Sequence, residues 1–175
     1  SNINICAQDA FLALYPQSKK PVGVNWPGEG TSQEQALAAN GNLGLLLGPK
    51  SDVMDVDLDC TEAKEMADLI LPKPFAKFDR GTSDSGYYLY RATTCGPTKK
   101  FSGNGPKSTL VELRGDGSQT MIPPSIHPNG SRLRFTDINQ DAPEVEYADL
   151  LKSVSFLAAC SEVAQRWASG RRHEL

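Results

Sequence analysis

Apolar and charged residues alternate strictly through Val53-Met54-Asp55-Val56-Asp57-Leu58-Asp59. Successive side chains on a strand point to opposite faces. Asp55, Asp57 and Asp59 therefore line one face, with Val53 if the strand begins that early, and Met54, Val56 and Leu58 line the other. The stretch Thr109 to Arg114 alternates in the same way, with Leu110, Glu112 and Arg114 on one face and Val111 and Leu113 on the other. Leu43 to Leu47 is a short continuous apolar run, the signature of a strand buried on both faces. Gly86 to Arg91, Gln119 to Ile122 and Ser131 to Phe135 are further strands, and Phe75 to Arg80 is extended.

Helical spacing occupies fewer places. Ala7 to Leu14 reads as a short amphipathic helix closed by Pro16. Thr31-Ser32-Gln33-Glu34 resembles a capping box opening a helix through Ala39, which Asn40-Gly41 stops. Thr61 is a candidate N-cap for a helix carrying Ala63, Met66, Ala67 and Ile70, and Pro72 and Pro74 end it. From Tyr147 to about Ala168 the pattern is helical, with Leu150, Leu151, Val154, Leu157 and Ala158 in one stripe and Gly170 as the stop. The segment Thr94 to Lys107, rich in Gly, Pro, Lys and Ser, reads as a flexible, mildly basic loop.

Composition narrows the class without naming a chemistry. The 175 residues fit one domain, or one domain with an appendage, and 15 glycines with 12 prolines favour an α+β chain over a helical bundle. A net charge of −3 argues against indiscriminate binding to polyanions and leaves room for a local basic groove. There is no run of about twenty apolar residues, nor an N-terminal secretory core, which predicts a cytoplasmic protein without a membrane role. Cys6, Cys60, Cys95 and Cys160 are scattered, with two histidines to accompany them, so free thiols are expected rather than zinc.

Three carboxylates on one strand face repel one another. A divalent cation removes that penalty, and Mg²⁺ takes hard oxygen ligands such as one or two carboxylates with substrate phosphates. Glu112, from a second strand, would complete a cradle of the kind that holds paired cations in phosphoryl transfer. A solvated strand face is the competing reading of the aspartates, and a surface glutamate that of Glu112. His127 stands between Pro124-Ser125-Ile126 and Pro128, where it either grips an anion or caps a turn.

Taken in order, K-K-P at Lys19–Pro21 with Trp26, N-L-G-L-L-L-G from Asn42, D-V-D-L-D-C-T-E-A from Asp55, V-E-L-R-G-D-G from Val111 and P-P-S-I-H-P-N-G from Pro123 resemble the bifunctional primase–polymerase (prim-pol) domain. That family belongs to the archaeo-eukaryotic primase superfamily. The resemblance spans Leu12 to Phe135 and implies an RRM-like catalytic sheet flanked by helices. Residues 1–145 would form the catalytic domain. Residues 146–175 would be a C-terminal helical segment of the kind that leads to a downstream domain such as a helicase.

On this resemblance the first acidic motif falls on Asp55/Asp57 or Asp57/Asp59, the third on Glu112, and these four would hold Mg²⁺ or Mn²⁺. His127, Ser125, Arg114, Lys20 and Arg80 would contact nucleotide. One departure stands out: where the family has a histidine in the aromatic strand, this chain has Tyr87 or Tyr88, and tyrosine carries no positive charge. Lys99, Lys100, Lys107 and Arg132 would line a groove for single-stranded template, with stacking from the Tyr87–Tyr90 strand. The implied activity is template-directed addition of dNTP or NTP in the replication of a phage, plasmid or other mobile element. Its rivals are a non-catalytic module that binds single-stranded DNA or nucleotide, and a two-metal nuclease.

Overall fold

The computed structural model describes residues 5, 9–23, 26, 28–104 and 109–170. The chain is α+β, with two antiparallel sheets and a long helix at its C-terminal end. The smaller sheet has three strands, β1 (Phe11–Leu14), β2 (Asn42–Leu46) and β8 (Gln119–Ile122), in the order β1-β2-β8. The larger sheet runs β6 (Lys99–Ser102), β7 (Thr109–Arg114), β3 (Val53–Leu58), β5 (Gly86–Thr94), β4 (Ala76–Asp79) and β9 (Arg134–Ile138). A two-residue strand, β10 (Val145–Glu146), pairs parallel with the end of β5.

The alternation of β3 decides what each face of the larger sheet meets. Met54, Val56 and Leu58 join Tyr88, Tyr90, Val111 and Leu113 in a core covered by α2 (Thr61–Ile70) and α3 (Tyr147–Gly170). Ala63 and Ala67 of α2, and Leu150, Val154 and Leu157 of α3, are buried there. Each fully buried aliphatic side chain contributes roughly 1.5–3 kcal/mol relative to exposure, so this face anchors the sheet. The opposite face carries Asp55, Asp57, Glu112 and Arg114, in register across β3 and β7. A second core of Leu12, Leu14, Leu43, Leu45, Ile122, Phe75, Phe78, Tyr87 and Leu89 packs the smaller sheet beside it.

The chain passes three times between the sheets, from β2 to β3 through Gly48–Asp52, from β7 to β8 through Gly115–Ser118 and from β8 to β9 through residues 123–133. The first two crossings touch. Gly48 has φ +84, and a Cβ there would lie 2.8 Å from the Asp116 Cα, so conformation and space both require glycine.

Several local expectations are corrected. Phe11–Leu14 is not helical; it pairs antiparallel with Leu45 to Asn42, a partner that outweighs a weak local helical pattern. Residues 7 and 8 of that expected helix lie outside the described residues. The short helix α1 (Gln33–Ala38) is capped by Ser32 rather than Thr31, with Gln35 completing the box. Cys60, not Thr61, is the N-cap of α2, and it makes no side-chain cap bond. Within the expected loop Thr94–Lys107 lies the edge strand β6, whose lysines suit a strand open to solvent. The strand expected at Ser131–Phe135 begins at Arg134 and runs to Ile138.

Among the described residues no helix is long and apolar enough to cross a membrane. Cys60, Cys95 and Cys160 are free thiols, and Cys6 lies outside the described residues.

Candidate functional site

The site forms where the larger sheet's acidic face meets β8 of the smaller one. Antiparallel pairing sets Asp57 directly opposite Glu112, and Asp55 directly opposite Arg114. On its other side Asp57 faces Tyr87, and Asp55 faces Leu89, both on β5. Residues directly opposed on a strand pair have Cβ atoms about 4.5–5.5 Å apart. Two carboxylates so placed need a cation between them.

Arg114 supplies one. Its guanidinium is bonded to Asp57 Oδ2, donates from Nε to Glu112 Oε2 at 2.9 Å and stands 3.5 Å from Asp55 Oδ2. The Arg114 side chain is 18 % exposed, and those of Asp55 and Asp57 are 0 % and 4 % exposed. Burial works against the arginine's charge, but Asp57, Asp55 and Glu112 outweigh it and hold the guanidinium above its usual pKa. The aspartates move the other way: burial pushes Asp55 up to about 6 and Asp57 to about 7, with Arg114 opposing both shifts. Asp59 lies just beyond β3, half-buried, and its carboxyl is also raised by burial and lowered by Arg114.

The cradle is incompletely satisfied. Asp55 Oδ1 and Oδ2 and Asp57 Oδ1 are buried and meet no hydrogen-bond donor among the described residues. The Thr120 hydroxyl tempers the Asp55 shift without reaching hydrogen-bond geometry. Buried carboxylate oxygens without donors are costly. A hard divalent cation is the ligand they suit by chemistry, so Asp57, Glu112 and either neighbouring aspartate fit a metal by donor type. As it stands, no three carboxyl, imidazole or thiol groups among the described residues converge on one point as metal ligands. The guanidinium lies between them.

A cleft of about 190 Å³ opens above the cradle, lined by Lys19, Tyr87, Arg114, Gln119, Thr120 and Met121. Small-molecule pockets usually enclose roughly 300–1,000 Å³, so this cleft would take in only part of a nucleotide-sized ligand. Positive charge collects along one side. Lys19 is within electrostatic reach of Arg114, Asp57, Arg80 and Asp59; burial first and Arg114 second lower its ammonium pKa. Arg80 donates from Nε to Ser85 Oγ at 3.0 Å, and its NH1 is 3.4 Å from His127 Nε2. The His127 pKa is lowered by burial, helped by Lys19 and Arg80, while the Asn129 side chain opposes the shift; the Asn129 backbone N–H donates to Nδ1 at 3.3 Å.

Not every expected residue reaches the site. Ser125 is fully occupied elsewhere: its Oγ accepts from the Leu43 N–H at 2.8 Å and donates to the Leu43 carbonyl at 3.2 Å, clamping β2. Lys20 is exposed and forms no ion pair with the carboxylates among the described residues. Tyr88 turns to the helical face, where its hydroxyl donates to Asp68 at 2.7 Å and Lys77 lies over its ring. Tyr87 faces the cleft instead, stacked on Phe78 at 4.7 Å and 8°. Burial, then Asp57, raises its phenol to about 12. Lys100 sits opposite Glu112 on the sheet edge and acts on Asp59. Arg132 pairs with Ile126 beside His127, Lys99 is on β6, and Lys107 lies outside the described residues.

Four contributors escaped the sequence reading. Lys19 rather than Lys20 enters the cleft; the K-K pair was visible, but no strand alternation told its members apart. Gln119 donates from Nε2 to the Lys19 carbonyl at 2.9 Å. It reaches the site, with Thr120, only because β8 belongs to the other sheet. Asn42 has the most connected role. Its Nδ2 donates to the carbonyls of Ser18 at 3.1 Å and Ile126 at 2.7 Å, and its Oδ1 accepts from the Ile126 N–H at 2.8 Å. One buried amide thereby ties together the segments that deliver Lys19 and His127.

No relative among curated proteins matches the chain. Opposed acidic residues on adjacent strands, with a bank of cationic side chains beside them, are the features expected of the prim-pol domain. The model of that family, described as bifunctional DNA primase/polymerase, N-terminal, matches residues 7–148, most of the chain, which therefore belongs to this family.

Proposed function

We propose that the chain is a template-directed nucleotidyltransferase that extends or initiates a strand on single-stranded DNA. Its family is one of primase/polymerase-type nucleotidyltransferases acting on DNA and nucleotides. The observation that carries the reading is the opposition of Asp57 and Glu112 beside a cleft lined by Lys19, with Arg80 and His127 within electrostatic reach of that lysine. Carboxylates alone would serve a nuclease equally well. The adjoining cations favour a polyanionic substrate group such as a triphosphate.

In this reading Asp57, Asp59 and Glu112 hold Mg²⁺ or Mn²⁺. Bound there, the ions would lower the pKa of the attacking 3′-hydroxyl and neutralise the departing pyrophosphate. Lys19 and Arg80 grip the triphosphate through charge-assisted hydrogen bonds with His127 beside them, and the Ser85 hydroxyl fixes the angle of Arg80. Asn42 and Gln119 hold the backbone on which Lys19 and His127 are mounted. Lys99, Lys100 and Arg132, spread on the exposed surface, would follow the template backbone, with a salt-sensitive affinity.

A second reading has a specific observation behind it. Tyr87 is neutral where a cationic histidine would grip nucleotide, and the Arg114 guanidinium sits among the carboxylates. Both suit a module that binds single-stranded DNA or nucleotide without catalysis and serves a linked helicase.

Incubation with primed and unprimed single-stranded DNA, Mn²⁺ and labelled dNTPs or NTPs separates the readings. Product lengthening that disappears in Asp57→Ala supports nucleotidyl transfer. Shortened template identifies a nuclease. Retained DNA or nucleotide binding without either product leaves the non-catalytic module.

A further inference from the structure

We propose that Arg114 is a resident counter-ion of the acidic cradle, competing with divalent cation for Asp57 and Glu112, with Asp55 as its permanent anchor. The inference rests on the reading of Asp57, Asp59 and Glu112 as cation ligands.

Three observations carry it. Arg114 contacts three carboxylates at once, from Nε, NH1 and NH2, leaving the guanidinium at the point a cation would occupy. The three partners are not equivalent. Glu112 is 21 % exposed and, with the half-buried Asp59 beyond it, open to an arriving ion, whereas the Asp57 and Asp55 side chains are 4 % and 0 % exposed. Asp55 lies directly across the strands from Arg114, as Asp57 does from Glu112, so the register itself forms two pairs.

Asp55 has both oxygens buried without a hydrogen-bond donor, so its charge is tolerable only beside a fixed cation. An arginine is suited to that task because it stays charged and its planar fork presents several donors. Asp57 differs: Oδ2 is engaged by Arg114, while Oδ1 is buried, unpartnered and part of the same cradle. When an ion engages Asp57, Asp59 and Glu112, the guanidinium gives up Asp57 and Glu112 and remains with Asp55. The arrangement keeps the metal-free sheet from carrying uncompensated like charges, and it sets a threshold for metal loading. It also divides the acidic strand, with Asp57 and Asp59 as ligands and Asp55 as the arginine's partner.

Mn²⁺ binding to the purified, metal-stripped chain, followed by the loss of the free-ion electron paramagnetic resonance signal, tests this without relying on turnover. Arg114→Gln is expected to tighten Mn²⁺ binding tenfold or more, since even weakly screened unit charges at such distances act strongly on a divalent ion. Arg114→Lys, which keeps the charge but cannot span three carboxylates, should fall between the two. Lysine also serves if the glutamine variant folds only with metal, as judged by circular dichroism. Added ethylguanidinium should weaken Mn²⁺ binding in Arg114→Gln and restore affinity toward that of the parent.

A double-mutant cycle fixes the role of Asp55. Asp55→Asn should change Mn²⁺ affinity less than threefold in the Arg114→Gln background. A tenfold loss there makes Asp55 a ligand and overturns the anchor. Unchanged or weaker Mn²⁺ binding in both Arg114 variants overturns the competition. Loss of Mn²⁺ binding in Asp57→Asn is required in every background; if Asp57→Asn binds as well as the parent, the reading of the cradle itself fails, and that outcome is distinct from the other two.

Discussion

Asp57 on β3 and Glu112 on β7 are directly opposed across antiparallel strands, and Arg114, two residues beyond Glu112, is bonded to both. Like charges directly opposed destabilise a strand pair, so the pair costs stability unless a cation stands between. Stability and activity therefore separate at Asp57. Asp57→Asn keeps an acceptor for Arg114 and removes one repelling charge. We expect nucleotide incorporation to fall by at least a hundredfold. The thermal midpoint in EDTA should be unchanged or higher. A variant that loses both together would mark Asp57 as a structural residue.

The acidic face also predicts how metal-free stability depends on pH. Asp55 and Asp57 have folded-state pKa values of about 6 and about 7, above the ordinary aspartate value that applies to the unfolded chain. Between pH 4 and 7 the folded protein holds more protons than the unfolded one, so stability falls as pH rises through that window. The two carboxylates would each contribute roughly 1–3 kcal/mol to the fall, with Arg114 already offsetting part of it. Urea unfolding in EDTA at pH 5 and pH 8 should show the lower stability at pH 8, with a smaller difference in Asp57→Asn. A chain more stable at pH 8 would contradict the buried, unsatisfied state of these groups.

Neighbouring lysines give the sharpest test of the cationic rim. Both are exposed to solvent, but Lys19 is within electrostatic reach of Arg80, Arg114, Asp57 and Asp59, whereas Lys20 forms no ion pair with these carboxylates among the described residues. Hydrogen bonds to charged groups contribute about 1.5–3 kcal/mol. Lys19→Ala should weaken nucleotide binding about tenfold or more, and Lys20→Ala should leave it within twofold. Isothermal titration with a non-hydrolysable triphosphate reads both. Equal effects would mean that net charge, rather than placement, governs binding.

That pair also illustrates what local pattern can and cannot convey. The acidic strand, its helical-face partners and the position of Glu112 follow from period-two alternation, because each side chain's direction depends only on its own strand. The aromatic strand is the intermediate case. Its bulk on both faces hid which tyrosine shares the acidic face, and the register shows it to be Tyr87, opposite Asp57. Lys19, Gln119 and Asn42 were not legible, since their roles depend on the approach of a second sheet and of the segments tied to it. Ser125 erred the other way: a polar residue in a suggestive motif is consumed by the Leu43 backbone. The β1 strand was missed for a similar reason, as its pairing partner lies some thirty positions further along the chain.

Tyr87 offers a gain-of-function test. It stacks on Phe78, faces Asp57 and lies in the cleft with Lys19, so a histidine there would sit among the same groups. A triphosphate and Asp57 would both favour the imidazolium. Tyr87→His should therefore bind nucleotide several-fold more tightly at pH 6 than the parent does, with the advantage shrinking by pH 8 as the ring loses its proton. Tyr88→His is the matched control. It breaks the hydroxyl bond to Asp68 and leaves that side of the sheet short of a donor, at a cost of about 1–3 kcal/mol. It should bring no gain in nucleotide affinity. Affinity titrations at the two pH values, beside urea unfolding of both variants, distinguish the residues. A gain at Tyr88 rather than Tyr87 would place the nucleotide on the other face of the sheet.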